Sequence, residues 1–99
     1  MEYSFEWDVG KELKNAFKHG VTFQEACEVF CDPMVIHLED ERHSKQEERF
    51  YAVGKVLSGE IITVRYTLRG DPRDRRIRII GAARWRKWRK YYDQNTQPK

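Results

Sequence analysis

A chain of 99 residues with 39% apolar and 13% aromatic side chains can build one domain around one core and is too short for two. No apolar run approaches the roughly 20 residues a bilayer span needs, and Met1 to Trp7 lacks the basic and apolar regions of a signal peptide, so the sequence reads as cytoplasmic with no membrane partner. The formal charge of +3 is unevenly laid, with a net −6 over the first 64 residues and +9 over the rest, which points to a polyphosphate.

At the N-terminus, Tyr3, Phe5 and Trp7 alternate with Ser4 and Glu6 as in a short strand with one apolar face. Asp8 then caps a helix that carries Val9, Leu13, Ala16 and Phe17 on one side, and Gly20 supplies a left-handed stop after Lys18 and His19. Thr22 with Glu25 forms a capping box for a second helix, which Asp32-Pro33 ends. Within it Phe23, Ala26, Cys27, Phe30 and Cys31 keep the spacing of a buried face, so both cysteines are expected to fill core. A disulfide, or two thiolates on one helix face holding a metal with His19, His37 or His43, is the alternative, but no paired ligand spacing supports a metal, and no cofactor is expected.

From residue 34 the period falls to two. Met34 to Leu38 reads as a strand, Glu39 to Glu48 as a charged loop, Arg49 to Leu57 as a strand, and Ser58-Gly59 as the turn into another at Glu60 to Arg69. Gly70-Asp71-Pro72 breaks the pattern, Arg75 to Ile80 resumes it up to a boundary at Gly81, and Trp85, Trp88 and Tyr92 set a helix beginning at Ala82. The outline is an α+β domain over residues 1–92, with a mainly antiparallel sheet of four to five strands, two N-terminal helices and one C-terminal helix, followed by a polar tail from Asp93 to Lys99.

Alternation gives the arginines a geometry. Ile62, Val64, Tyr66 and Leu68 share one face of their strand, leaving Thr63, Arg65, Thr67 and Arg69 on the other; Ile77 and Ile79 do the same for Arg76 and Arg78. If these sequential strands pair, Arg65, Arg69, Arg76 and Arg78 cluster on a single cationic face. A guanidinium donates two parallel hydrogen bonds to a phosphate and stacks on unpaired bases. The alternative is that these arginines are solvated or paired with carboxylates from the acidic half.

On the last helix Trp85, Trp88 and Tyr92 either stack bases or dock the helix on the sheet, leaving Arg84, Arg86, Lys87, Arg89 and Lys90 in solvent. Lys18-His19-Gly20 reads as a helix end whose cations suit the helix dipole, or as a proton-transfer pair beside the arginines. Glu48-Arg49 reads as a surface ion pair, or as a carboxylate orienting a guanidinium.

Phe5-Glu6-Trp7-Asp8, Asn15, Lys18-His19-Gly20-Val21-Thr22-Phe23, Ala26, Val29-Phe30, Asp32-Pro33, Glu47-Glu48-Arg49-Phe50, Val53-Gly54, Val64-Arg65-Tyr66-Thr67, Arg69-Gly70 and Arg76-Ile77-Arg78-Ile79-Ile80 resemble, in order and spacing, the BrnT family of bacterial toxins. The resemblance covers roughly residues 5 to 92. It implies a RelE-like fold, a metal-independent ribonuclease that inhibits translation and growth, and neutralisation by a DNA-binding BrnA-type antitoxin in a hetero-oligomer. Carried over by position, it implies catalytic roles for Lys18, His19, Arg65, Arg69 and Arg78, and RNA-binding or supporting roles for Glu48, Arg49, Arg76, Arg84, Arg86 and Lys87. Family members commonly read Ile-Ile-Ser-Ala-Arg-Arg after the last strand; here Gly81 replaces the serine and Ala83 the first arginine, so Arg84 becomes the nearest substitute. That departure motivates a second expectation, a weakened toxin serving its antitoxin as binding partner or corepressor, and a third is a basic RNA-binding module.

Overall fold

The computed structural model of the chain describes residues 4–43 and 45–96. Five strands, β1 (Phe5–Glu6), β2 (Ile36–Glu39), β3 (Arg49–Lys55), β4 (Ile61–Arg69) and β5 (Arg76–Ala83), form one sheet in the order β1-β5-β4-β3-β2. Every pairing is antiparallel except β1 with β5, which is parallel. Three α-helices, α1 (Val9–His19), α2 (Phe23–Cys27) and α3 (Arg86–Thr96), complete the α+β fold, with a 3-10 turn at Glu28–Cys31.

Local chemistry sets the helix ends. Asp8 accepts the Lys11 N–H, and Gly20, at φ 68°, closes α1 by donating to Ala16; Thr22 caps α2 by accepting the Glu25 N–H. The second helix is shorter than its spacing predicts, because it tightens into the 3-10 turn after Cys27. That change of pitch keeps Val29 and Phe30 buried but carries Cys31 to the surface. Cys27 is half-buried, donates to the Phe23 carbonyl at 3.3 Å, and burial pushes its thiol pKa up to about 11.

Between the sheet and the α2 region lies the main core: Val21, Phe23, Ala26, Val29, Phe30, Ala52, Ile62, Val64, Tyr66, Ile77 and Ile79. Phe30 meets Tyr66 edge-on at 5.2 Å and Trp7 meets Phe23 at 6.2 Å. Trp7 therefore packs just beyond β1, which spans two residues; Tyr3, read as the start of that strand, lies outside the described residues. Across the sheet, α3 packs on β3 and β4. Its Tyr92 is buried, and the hydroxyl donates to Asp32 Oδ2 at 2.5 Å.

Helix α1 is amphipathic, yet its apolar stripe faces outward: Val9, Leu13 and Phe17 are exposed, Phe17 to 95%. Asn15 fixes that rotation. Its amide donates to the carbonyls of Val21 and Ala82 at 2.9 Å each and accepts the Ala82 N–H at 3.1 Å. The side of α1 turned to the protein is thus Glu12, Asn15, Ala16 and His19, all partly buried.

The C-terminal third differs most from its sequence reading. β5 continues through Gly81 to Ala83, α3 begins at Arg86 instead of Ala82, and the helix runs through Thr96 into the stretch read as polar tail, whose residues 97–99 lie outside the described residues. The sequence marks Gly81 as a boundary, whereas in the fold it is a strand residue. Among the described residues, no helix is long and apolar enough to cross a membrane.

Candidate functional site

The sheet register brings the basic side chains onto one face. Glu6 pairs with Arg78, Arg78 with Thr67, and Thr67 with Arg49, so carboxylate, guanidinium, hydroxyl and guanidinium stand in one row across four strands. Asp40 extends that row, its N–H donating to the Arg49 carbonyl at 2.8 Å. Arg69 pairs with Arg76 to one side, and Tyr51, Arg65 and Gly81 form the row on the other.

A bulge makes the last row. Pairing between β4 and β5 shifts after Arg65, so Tyr66 meets Ile79 while Arg65 meets Gly81, and Ile80 is the extra residue. Without the shift the branched Ile80 would stand opposite Arg65. A Cβ placed on Gly81 would lie 3.1 Å from Arg65 Nη2 and 3.4 Å from Nε, so the guanidinium lies over the bare glycine backbone. The absent serine hydroxyl at this position thus leaves space that Arg65 uses. Ala83 is buried in a row with Val53 and Thr63, where α3 covers the face.

Electrostatics then divides the arginines. Arg76 Nε and Arg78 Nη1 bind the two oxygens of Glu6 at 2.6 and 2.8 Å, and Arg76 also reaches Asp74 at 2.7 Å. The Arg76 guanidinium, followed by that of Arg78, holds the Glu6 carboxyl below the usual carboxylate range. Arg69 contacts Glu47 at 3.2 Å. Arg65 differs: its Nε is buried and has no hydrogen-bond partner among the described residues. Beside it, burial first and Asp40 second push the Tyr51 hydroxyl pKa up.

The remaining predicted residues fall in several places. His19 turns toward the site, its ring edge-on to Trp85 at 6.0 Å, whereas Lys18 on the same last turn is exposed. Glu48 contributes its backbone, the carbonyl accepting the Thr67 hydroxyl at 2.6 Å, while its side chain is exposed. Arg49 lines an open pocket with Arg42, His43, Lys45 and Glu47. Arg84 is committed elsewhere, 2.6 Å from Glu60, and with Arg86 lines a cleft beside the β3 to β4 turn. Lys87 lines a cavity with Arg65.

Sequence reading missed three contributors. Glu6 supplies the counter-charge for two arginines, which only the parallel pairing of β1 with β5 reveals. Tyr51 neighbours Arg65 across the ladder, a position its alternation in β3 marks once the register is known. Asp40, 6% exposed, holds His43 Nδ1 at 2.9 Å in what read as a featureless charged loop.

A family model described as the ribonuclease toxin, BrnT, of type II toxin-antitoxin systems matches residues 7–88. No curated protein matches the chain.

Proposed function

The chain belongs to the BrnT family of ribonuclease toxins of type II toxin-antitoxin systems, and from that premise we propose that it cleaves RNA without a metal, across the cationic sheet face, with Arg65 as the principal phosphate ligand. The observation that carries the reading is the buried Arg65 Nε, without a hydrogen-bond partner among the described residues, on a face where Arg69, Arg76 and Arg78 already hold carboxylates.

In this reading the ribose 2′-hydroxyl attacks the adjacent phosphorus. The 2′-O–P bond forms as the P–5′-O bond breaks, leaving a 2′,3′-cyclic phosphate and a 5′-hydroxyl. The His19 imidazole accepts the 2′-hydroxyl proton, its position beside Trp85 favouring it over the outward-facing Lys18, and the departing 5′-oxygen takes a proton from solvent water. Arg65 offsets charge on the pentacoordinate phosphate, with Arg49 beside it in the next row. The cleaved messenger then halts translation and growth, and a BrnA-type antitoxin, acidic where it meets this face, neutralises the toxin.

The test is cleavage of end-labelled RNA by the purified chain with EDTA present. Arg65→Ala is expected to lose about 10²- to 10³-fold in rate, the usual loss on removing one preorganised donor. Unchanged cleavage by that variant removes the arginine assignment; abolition by EDTA alone removes the metal-free mechanism. The internal pairing of Arg69, Arg76 and Arg78 favours a second reading, a weakened toxin that chiefly binds its antitoxin. That reading predicts no growth arrest when the chain is induced alone.

A further inference from the structure

Where α3 leaves the sheet, Tyr51, Arg65, Trp85, Lys87 and Trp88 line a cavity of about 260 Å³. Its walls are three aromatic rings and two cations. Trp88 lies tilted against Tyr51 at 5.3 Å, and Lys87 Nζ stands 5.0 Å from the Trp88 ring centre. The aromatic trio of this helix is therefore divided in use. Tyr92 is buried and hydrogen-bonded to Asp32, which ties the helix to the rest of the protein, whereas Trp85 and Trp88 remain partly open at the edge of a cationic face.

We propose that this cavity is a base-binding subsite that takes one unpaired nucleobase of the RNA, stacked on Trp85 and Trp88, with Arg65 on the border between base and phosphate. The inference rests on the ribonuclease reading above and adds what part of the substrate is gripped. Several features favour a base over an aliphatic side chain. Flat rings and a guanidinium plane are the surfaces on which unpaired bases stack. The volume falls just below the roughly 300–1,000 Å³ of sites that enclose drug-sized ligands, which suits a single planar ring system. Lys87 and Arg65 also place positive charge where the flanking backbone must run. A base inside a duplex cannot enter, so the substrate must be single-stranded at that nucleotide.

The experiment titrates the intact chain with a short 2′-deoxyadenylate oligonucleotide, which cannot be cleaved, and with an abasic oligonucleotide of equal length and charge, reading tryptophan fluorescence. The base-bearing probe is expected to quench the signal and to bind roughly tenfold more tightly, within the range that losing a base–aromatic stack gives. Trp88→Ala should remove that advantage and Trp88→Phe should retain much of it, so a variant that merely misfolds is distinguishable. Equal binding of the two probes overturns the proposal, because only phosphate tracking then remains. It is likewise overturned if the antitoxin quenches these tryptophans and neither oligonucleotide does. Cleavage of labelled RNA, measured on the same preparations, keeps the readings apart. Base-dependent binding without cleavage fails the nuclease reading alone, and cleavage with base-independent binding fails the subsite alone.

Discussion

The two ends of the cationic face are built to opposite rules. At the end near β1, Arg76 and Arg78 share Glu6, Arg69 has Glu47, and the charge is largely cancelled within the protein. At the end near α3, Arg65 lies over Gly81 among aromatic rings, and its Nε has no hydrogen-bond partner among the described residues. A charge already satisfied by a carboxylate holds the sheet in shape; a charge held in place without one is ready for an external anion. An arginine's neighbours, more than its presence on the face, decide which it is.

The largest expected effect that would break this contrast is in the paired substitutions Arg65→Ala and Arg69→Ala. The first should reduce RNA cleavage about 10²- to 10³-fold. The second, which releases a surface pair, should cost about 1 kcal/mol of stability or less by chemical denaturation. Comparable rate losses in both would show that the face acts as a diffuse charge. Gly81→Val tests the same end without removing charge. A branched side chain beneath the guanidinium displaces it, and cleavage is expected to fall at least about tenfold, the loss that a small misplacement of a catalytic group can produce.

Removing the hydroxyl that clasps α3 should act on stability. Tyr92→Phe forfeits a hydrogen bond to an ionised carboxylate, worth about 1.5–3 kcal/mol, read as a lowered urea midpoint. Glu6→Gln sharpens the contrast from the paired end. Freed of their carboxylate, Arg76 and Arg78 should bind RNA with a salt slope steeper by about one unit. The pH sign follows from the depressed Glu6 pKa, set by Arg76 and then Arg78. Its stabilisation is present above the ordinary carboxylate pKa and fades as pH falls through the lower folded value. Wild type and Glu6→Gln should therefore differ in stability near neutrality and converge in acid. Smallest of all, Phe17→Ser on the exposed side of α1 should leave stability within about 0.5 kcal/mol.

Much of this architecture is legible in the sequence. Period-two alternation places Arg65, Arg69, Arg76 and Arg78 on one face, and capping residues place α1 and the start of α2. What alternation cannot convey is which distant residue stands opposite. Glu6 reaches Arg76 and Arg78 across about 70 positions through a parallel pairing of only two residues. The bulge after Arg65 is hidden for a similar reason. A glycine after a β-rich run marks either a strand end or a bulge where other atoms approach the backbone closely, and the spacing does not separate the two. Helix α1 adds a different lesson. Periodicity groups Val9, Leu13, Ala16 and Phe17, but Ala16 lies on the inward side, which one amide, Asn15, fixes through its bonds to the β5 backbone, leaving the other three hydrophobic side chains exposed. The spacing places Cys31 in the core, but a change of helical pitch, which leaves no mark in the spacing of apolar residues, carries it to the surface.

That amide also determines how the sheet can grow. Beyond Glu6 the strand β1 is finished, yet β5 runs on to Ala83, and its backbone there would be a template for any extended peptide. Asn15 occupies both hydrogen-bonding groups of Ala82, imitating the next strand with a single side chain. Among the described residues the long open margin is then β2, at the other side of the sheet. A binding partner that docks by strand addition must approach there, two strands from Arg65, whereas one that obstructs RNA must lie across the face.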